Sequence, residues 1–373
     1  MRLPEDELAD LESKSLLRRI PELDSSITNF SSNDYLGLAL HSEIKQAYQD
    51  AIDHYGAGST GSRLICGTME PHRKLENAIA CAKGTEAALS FTSGYSTSIG
   101  VITSLLGKGD IVILDKLCHA SLIDGARMSG ATMRIYPHNN LDKLESLLIS
   151  ATTKADQDSR ILVITESVFS MDGDIAPLKK ISELCKQYNC LLMVDEAHAL
   201  GVIGPTGMGL AEELGIQDQI DFQMGTLGKA AGVAGGYLAT SRVWAELMIN
   251  RARSFIYSTA PPPAQAAAAV KALEVIQSEE GNKLRKRLWS NITTFTTASG
   301  MKGSCSSAII PWIIGDSEKT LKLSTELRDH GFQVPAIRYP TVARNTARLR
   351  ITMSSSHDKT SIEALANYLR PSL

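Results

Sequence analysis

The chain has 373 residues, 43% of them hydrophobic and 21% charged, with 38 Lys and Arg against 41 Asp and Glu for a formal charge of -3. That length exceeds one ordinary compact core and predicts a large domain with a smaller partner. The balance excludes the clustered positive excess of a nucleic-acid binder, and the composition excludes extended disorder. No apolar run approaches the roughly 18 residues that span a bilayer. The acidic start RLPEDELADLESKSLLRRI does not read as a secretory signal, so a cytoplasmic location is expected. The six cysteines are scattered with no CxxC pair; they read as reduced thiols, and no metal site is expected.

Residues 1–40 read as an N-terminal arm. From there strand and helix signals alternate. EAALSFTS (86–93) is followed by the helix-like YSTSIGVITSLL and then by the apolar run DIVILD (110–115). ILVITES (161–167) is a continuous β-branched run. PLKKISELCKQYN opens with Pro177 at a helix start and carries Leu178, Ile181, Leu184 and Cys185 at helical spacing. CLLMVDEAH (190–198) is a further apolar run that ends in charged residues. Continuous apolar strands separated by helices predict an α/β fold with a mostly parallel sheet covered on both faces. In such sheets ligands bind off the carboxyl ends of the strands, where Ser93-Gly94, Asp115, Ser170 and Asp195 to His198 fall.

PPPAQ (261–265) is the clearest breaker. An Ala-rich helix and a charged helix follow, and strand signals return in AIIPWIIG and ARLRITM. The expected division is an arm (1–40), a large cofactor-binding domain (41–260) and a small C-terminal α+β domain (261–373).

Four features carry candidate chemistry. Lys229 stands among small residues in MGTLGKAAGVAGGY, the setting a Schiff-base lysine needs. Asp195 ends an apolar strand, with His198 three residues on; a carboxylate there suits a protonated ring nitrogen. His119, in DKLCHASL, has a ring that can stack on a flat cofactor or exchange protons. Ser93-Gly94-Tyr95 opens a helix whose first N–H groups suit a phosphate. Each also has a plain structural reading: a surface loop lysine, a turn-capping aspartate, a hydrogen-bonded histidine and an ordinary N-cap. Their order along the chain favours a pyridoxal-phosphate (PLP) enzyme.

The segments SSNDYLGL, GAGSTGSRLICGT, DKLCHASLIDGAR, TESVFSMDGDIAPL, VDEAHALGVIGPTGMG, GTLGKAAGVAGGY and IYSTAPPPAQ resemble the α-oxoamine synthases, a PLP-dependent family of fold-type I. The resemblance runs from about Phe30 to the end. It implies a homodimer with shared active sites, in which a small amino acid is condensed with an acyl thioester. CSSAIIPWIIGDSEKTLKLSTELRDHGFQVPAIRYPTV and TARLRIT are most similar to the member that joins L-alanine to a pimeloyl thioester. Other members differ in amino acid and acyl chain, and an inactive PLP-fold binding subunit is the remote alternative. By this resemblance Lys229 is the Schiff-base lysine. Asp195 pairs with the pyridine nitrogen, His198 bonds the 3-hydroxyl oxygen, and His119 stacks on the ring. Gly94, Tyr95 and Thr226 hold the phosphate with Ser258 and Thr259 of a partner subunit, and Ser170 lies beside the cofactor. Asn33 and Arg350 bind the amino-acid carboxylate, and Arg18 and Thr341 contact the acyl substrate. Ala199 departs from the family, which has glycine or serine after this histidine.

Overall fold

The computed structural model describes residues 3–18, 20, 24, 26–156 and 158–370. They form two compact units: Asp34–Ser170 with Asp174–Arg287, and the described residues of Met1–Asn33, Met171–Gly173 and Leu288–Leu373.

The larger unit is built on a seven-stranded sheet. From edge to edge its strands are Ala87–Phe91, Gly236–Thr240, Phe222–Thr226, Leu191–Asp195, Ile161–Glu166, Ile111–Asp115 and Thr132–Tyr136. All neighbours pair in parallel except Gly236–Thr240, which runs antiparallel to both of its partners. The apolar runs lack alternation because both faces are covered. Val112, Leu114, Leu162, Ile164 and Met193 point into a core that includes Val101, Ile102 and Leu105 of the helix Gly94–Leu105. Ile111, Ile113, Val163, Leu192 and Val194 point into a second core with Leu178, Ile181 and Cys185 of the helix Leu178–Gln187. The outermost strand, Thr132–Tyr136, has only Tyr136 fully buried, as befits an edge.

Ionic contacts hold the polar ends of this sheet. Lys83 and Glu196 form a fully buried ion pair, and the Lys83 ammonium also donates to the Met208 carbonyl at 2.6 Å. Glu196 accepts the Ala211 N–H at 2.9 Å, so the residue after Asp195 is fixed from two directions. Gly209 makes room for this carboxylate: its φ is +112° and an added Cβ would lie 2.5 Å from the Glu196 oxygen. At the neighbouring strand ends the His138 imidazole bridges Asp115 Oδ1 at 3.0 Å and Asp174 Oδ2 at 2.7 Å, edge-on to Phe169.

In the smaller unit Ala347–Thr352 is the central strand of three, between Ala336–Ile337 and Ile309–Gly315, and antiparallel to both. Every residue of it is buried. The strand is therefore not an exposed edge, and its two arginines are not solvated. Arg348 and Arg350 are each 5% exposed and meet partners inside the unit. Arg348 forms a salt bridge to Asp172 at 2.6 Å, and Arg350 donates to Thr352 Oγ1 at 2.9 Å and to Asn33 Oδ1 at 3.1 Å.

The His138 bridge has a pH signature. Burial alone would lower its pKa, but the hydrogen bonds and charges of Asp115 and Asp174 outweigh that and lift it to about 10. A pKa raised on folding stabilises the folded state fully below the ordinary histidine value, and the contribution is lost as pH rises through about 10. His138→Ala is expected to cost about 2 kcal/mol at pH 6. The gap in melting temperature between wild type and variant should close as pH approaches 10. Thermal unfolding at both pH values checks this; a constant gap would show that the imidazolium does not carry the effect.

Candidate active site

The carboxyl ends of the parallel strands open into a cavity of about 170 Å³ in the larger unit. Its lining includes Gly94, Tyr95, His119, Glu166, Asp195 and His198, with Thr226 and Lys229. Seven of these residues, all but Glu166, are those that the sequence singles out.

Asp195 is the last residue of its strand and is 6% exposed. Its Oδ1 accepts the Ala197 N–H at 2.9 Å. Burial raises its pKa, opposed by Lys229, by that N–H and by His119. Lys229 follows the strand Phe222–Thr226 in a turn that requires glycine. Gly232 has φ +68°, and an added Cβ there would sit 2.3 Å from the Ala39 nitrogen. The half-buried Lys229 places Nζ 2.7 Å from His198 Nε2, and His198 Nδ1 is 2.6 Å from the Tyr35 hydroxyl. Tyr35 is fully buried, so this chain of three groups sets the imidazole plane.

His119 caps the helix Ala120–Ser129. Its Nδ1 accepts the Ser121 N–H at 3.2 Å, which leaves the ring proton of the neutral form on Nε2. Burial and the Lys229 charge hold this imidazole below the ordinary histidine pKa, against the pull of Asp195. A neutral ring is the form that stacks without carrying charge into the cavity.

Gly94 and Tyr95 begin the helix Gly94–Leu105, whose N-cap Ser93 accepts the Ser96 N–H at 3.0 Å. An added Cβ on Gly94 would lie 3.4 Å from Thr226 Cβ, so the helix start and the end of the strand close on each other. Thr226 Oγ1 accepts the Gly228 N–H at 3.1 Å and donates to the Gly235 carbonyl at 2.8 Å. Backbone donors at a helix N-terminus beside a hydroxyl make an anion site.

Ser170 is buried but is not among the lining residues. Ser258 is half-buried and Thr259 exposed; Thr259 bridges to Ser62, and neither lines the cavity. Arg350 and Asn33 meet in the smaller unit, as described above. There too Arg18 Nη2 donates to Thr341 Oγ1 at 3.2 Å. Both line a second cavity of about 720 Å³. Arg338 holds the preceding stretch of chain by donating to the Ser15 carbonyl at 2.6 Å and the Leu17 carbonyl at 2.7 Å.

The sequence reading missed Glu166, Tyr35 and Arg338. Glu166 and Tyr35 lie inside TESVFSMDGDIAPL and SSNDYLGL, but nothing in the local pattern separates a site residue from its neighbours there. Glu166 shows itself only through the register that sets it beside Asp195 on the next strand.

A primary amine, a buried strand-end carboxylate, a neutral imidazole and a helix-start anion site meet in one cavity at the carboxyl edge of the sheet. They fit PLP group by group, and with the fold they define a PLP-dependent enzyme of fold-type I. Residues 25–369 match the aminotransferase class I and II family. The chain is 47% identical over 336 residues to an 8-amino-7-oxononanoate synthase of Geobacter sulfurreducens, covering 89% of this chain and 85% of the relative. It is 44% identical over 353 residues to that of Citrifermentans bemidjiense, covering 93% and 90%. Among solved structures it is similar to a serine palmitoyltransferase variant of S. paucimobilis with a PLP–myriocin adduct bound, at a TM-score of 0.89 and 29% identity over 98% of this chain and 95% of that one. It is also similar to the 8-amino-7-oxononanoate synthase of Francisella tularensis, at 0.79 and 29%, over 94% and 98%. The chain belongs to the 8-amino-7-oxononanoate synthase family and is a PLP-dependent acyltransferase. Among the described residues no helix is long and apolar enough to cross a membrane, and no cluster of side chains is suited to a metal.

Proposed function

We propose that this enzyme joins L-alanine to a pimeloyl thioester, of coenzyme A or of a carrier protein, to give 8-amino-7-oxononanoate for biotin biosynthesis. The reaction breaks the Cα–H bond of alanine and forms a bond from that carbon to the acyl carbonyl carbon. The thiol leaves with a proton, the amino-acid carboxylate departs as CO2, and the carbon that carried it takes up a proton in its place. The observation that carries the chemistry is Lys229 beside His198 in a cavity that also holds Asp195 and His119. The family carries the choice of substrates.

PLP supplies an electron sink for negative charge at the substrate Cα. With PLP bound, Lys229 Nζ would hold it covalently and would be the base for the substrate Cα proton. His198, which contacts that Nζ in an orientation set by Tyr35, would bond the cofactor's hydroxyl oxygen. Asp195 would hold a proton on the ring nitrogen. His119 would stack on the ring, with its Nε2–H placed to polarise the acyl carbonyl. Gly94, Tyr95 and Thr226 take the phosphate, with Ser258 and Thr259 reaching it from a second copy of the chain. Ser170 supports the cofactor's edge. Arg18 and Thr341 contact the acyl substrate.

Arg350 and Asn33 bind the alanine carboxylate. A guanidinium offers two parallel donors and sets orientation as well as charge, whereas an ammonium supplies a point charge. Arg348, in a salt bridge with Asp172, serves the fold.

Purified enzyme supplied with alanine, glycine or serine and with pimeloyl or shorter thioesters should release thiol fastest with alanine and the pimeloyl chain. A clear preference for serine or glycine would sink the substrate assignment. Arg350→Lys should lower kcat/KM for alanine by about 30-fold or more and slow exchange of its Cα–H with solvent deuterium. If Arg348→Lys impairs exchange and Arg350→Lys does not, the other arginine is the ligand. Sedimentation at micromolar concentration should show a dimer; a fully active monomer would remove Ser258 and Thr259 from the phosphate site.

A further inference from the structure

Glu166 ends the strand Ile161–Glu166 in register with Asp195 at the end of Leu191–Asp195. Register partners on parallel strands project to the same face, so both carboxyl groups meet the same cavity. Glu166 is 2% exposed and its Oε1 accepts the His119 N–H at 2.5 Å. Leu162 and Ile164 sit on the same strand inside an apolar core, so no water-filled face lies behind it.

The titratable groups around Glu166 are Asp195, Lys229, His119, Asp115 and Cys118. Two buried carboxyl groups on neighbouring strands do not both ionise beside a single ammonium. Desolvation and the charge of Asp195 push Glu166 well above the ordinary carboxyl range, with Lys229 opposing. Lys229 and the Ala197 N–H on Oδ1 are the main influences that favour the charged form of Asp195, which is the better placed of the two to ionise.

We propose that Glu166 is a further positioning residue of the active site: a neutral carboxyl that fixes the backbone of His119 and leaves Asp195 as the single carboxylate charge among the residues lining the cavity. Its hydrogen bond grips the residue at which the chain enters the helix Ala120–Ser129, and the same residue presents the imidazole. The buried acid thereby sets ring orientation without adding a charge that competes with Asp195 for the ring nitrogen.

The inference rests on the placement of Lys229 and Asp195 proposed above. Borohydride trapping of the cofactor on Lys229 reports on that placement separately. If the cofactor is trapped on another lysine, the site reading fails; if it is trapped on Lys229, the following measurements judge Glu166 alone. Glu166→Gln removes the carboxyl and keeps an acceptor for the His119 N–H. It should bind PLP as wild type does, with the pH midpoint of the visible band within about 0.3 pH unit. An ionised Glu166 would instead make that midpoint fall by about one pH unit or more in the variant, which overturns the proposal. Glu166→Ala removes the acceptor as well. It should bind PLP about tenfold more weakly and lose visible circular dichroism of the bound cofactor, with the midpoint still unchanged. Unchanged affinity and dichroism in this variant would overturn the positioning role. Should either variant fail to fold, wild-type holoenzyme with 13C-labelled glutamate carboxyls decides the charge. A resonance should stay in the neutral form between about pH 6 and about pH 9, and its absence overturns the proposal.

Discussion

Two carboxyl groups held side by side at the buried end of a sheet are the constraint on which the rest of the active site depends. Glu166 and Asp195 sit on adjacent strands whose flanking residues are packed on both faces, so neither group is solvated as it would be in water. A carboxylate so placed is stable only with cations and N–H donors around it. The larger unit supplies them to Asp195 as the Lys229 ammonium and the Ala197 N–H on Oδ1, and Glu166 accepts the His119 N–H. The groups that make these buried carboxyl groups tolerable are the ones a PLP enzyme needs. Here the stability of the fold and the chemistry of the site are the same problem.

Outside the cavity lining, further buried charges stiffen the ends of the sheet. The Lys83–Glu196 pair anchors the residue after Asp195, and the His138 bridge ties Asp115 to Asp174. Glycine is demanded where the backbone turns against these anchors, at Gly209 beside Glu196 and at Gly232 beside Ala39. A cavity of this kind gains orientation from its supports, because a small error in placing Lys229 or Asp195 would misalign every group that reacts.

The smaller unit solves a different problem. Its central strand carries two buried arginines, which are costly unless paired. Arg348 is neutralised by Asp172, whereas Arg350 is held by the Thr352 hydroxyl and the Asn33 amide oxygen. Two arginines two residues apart thus receive different surroundings.

The strands, the helices between them and the two-sided burial were legible in the sequence, because period and apolar content are local properties. Ile161–Glu166, Leu178–Gln187 and Leu191–Asp195 lie where their residues predict. Lys229, Asp195, His198 and His119 were legible from their order along the chain and from whole motifs shared with a family. Other features belonged to the tertiary structure alone. The antiparallel insertion of Gly236–Thr240 depends on which strands it meets, and its sequence carries no sign of direction. Burial of Arg348 and Arg350 follows from the strand being central, whereas alternation by itself reads as an edge. Glu166 became a site residue only through register: a carboxyl at a strand end acquires its charge state and its partners from the neighbouring strand, about thirty residues away in sequence and one strand spacing away in space.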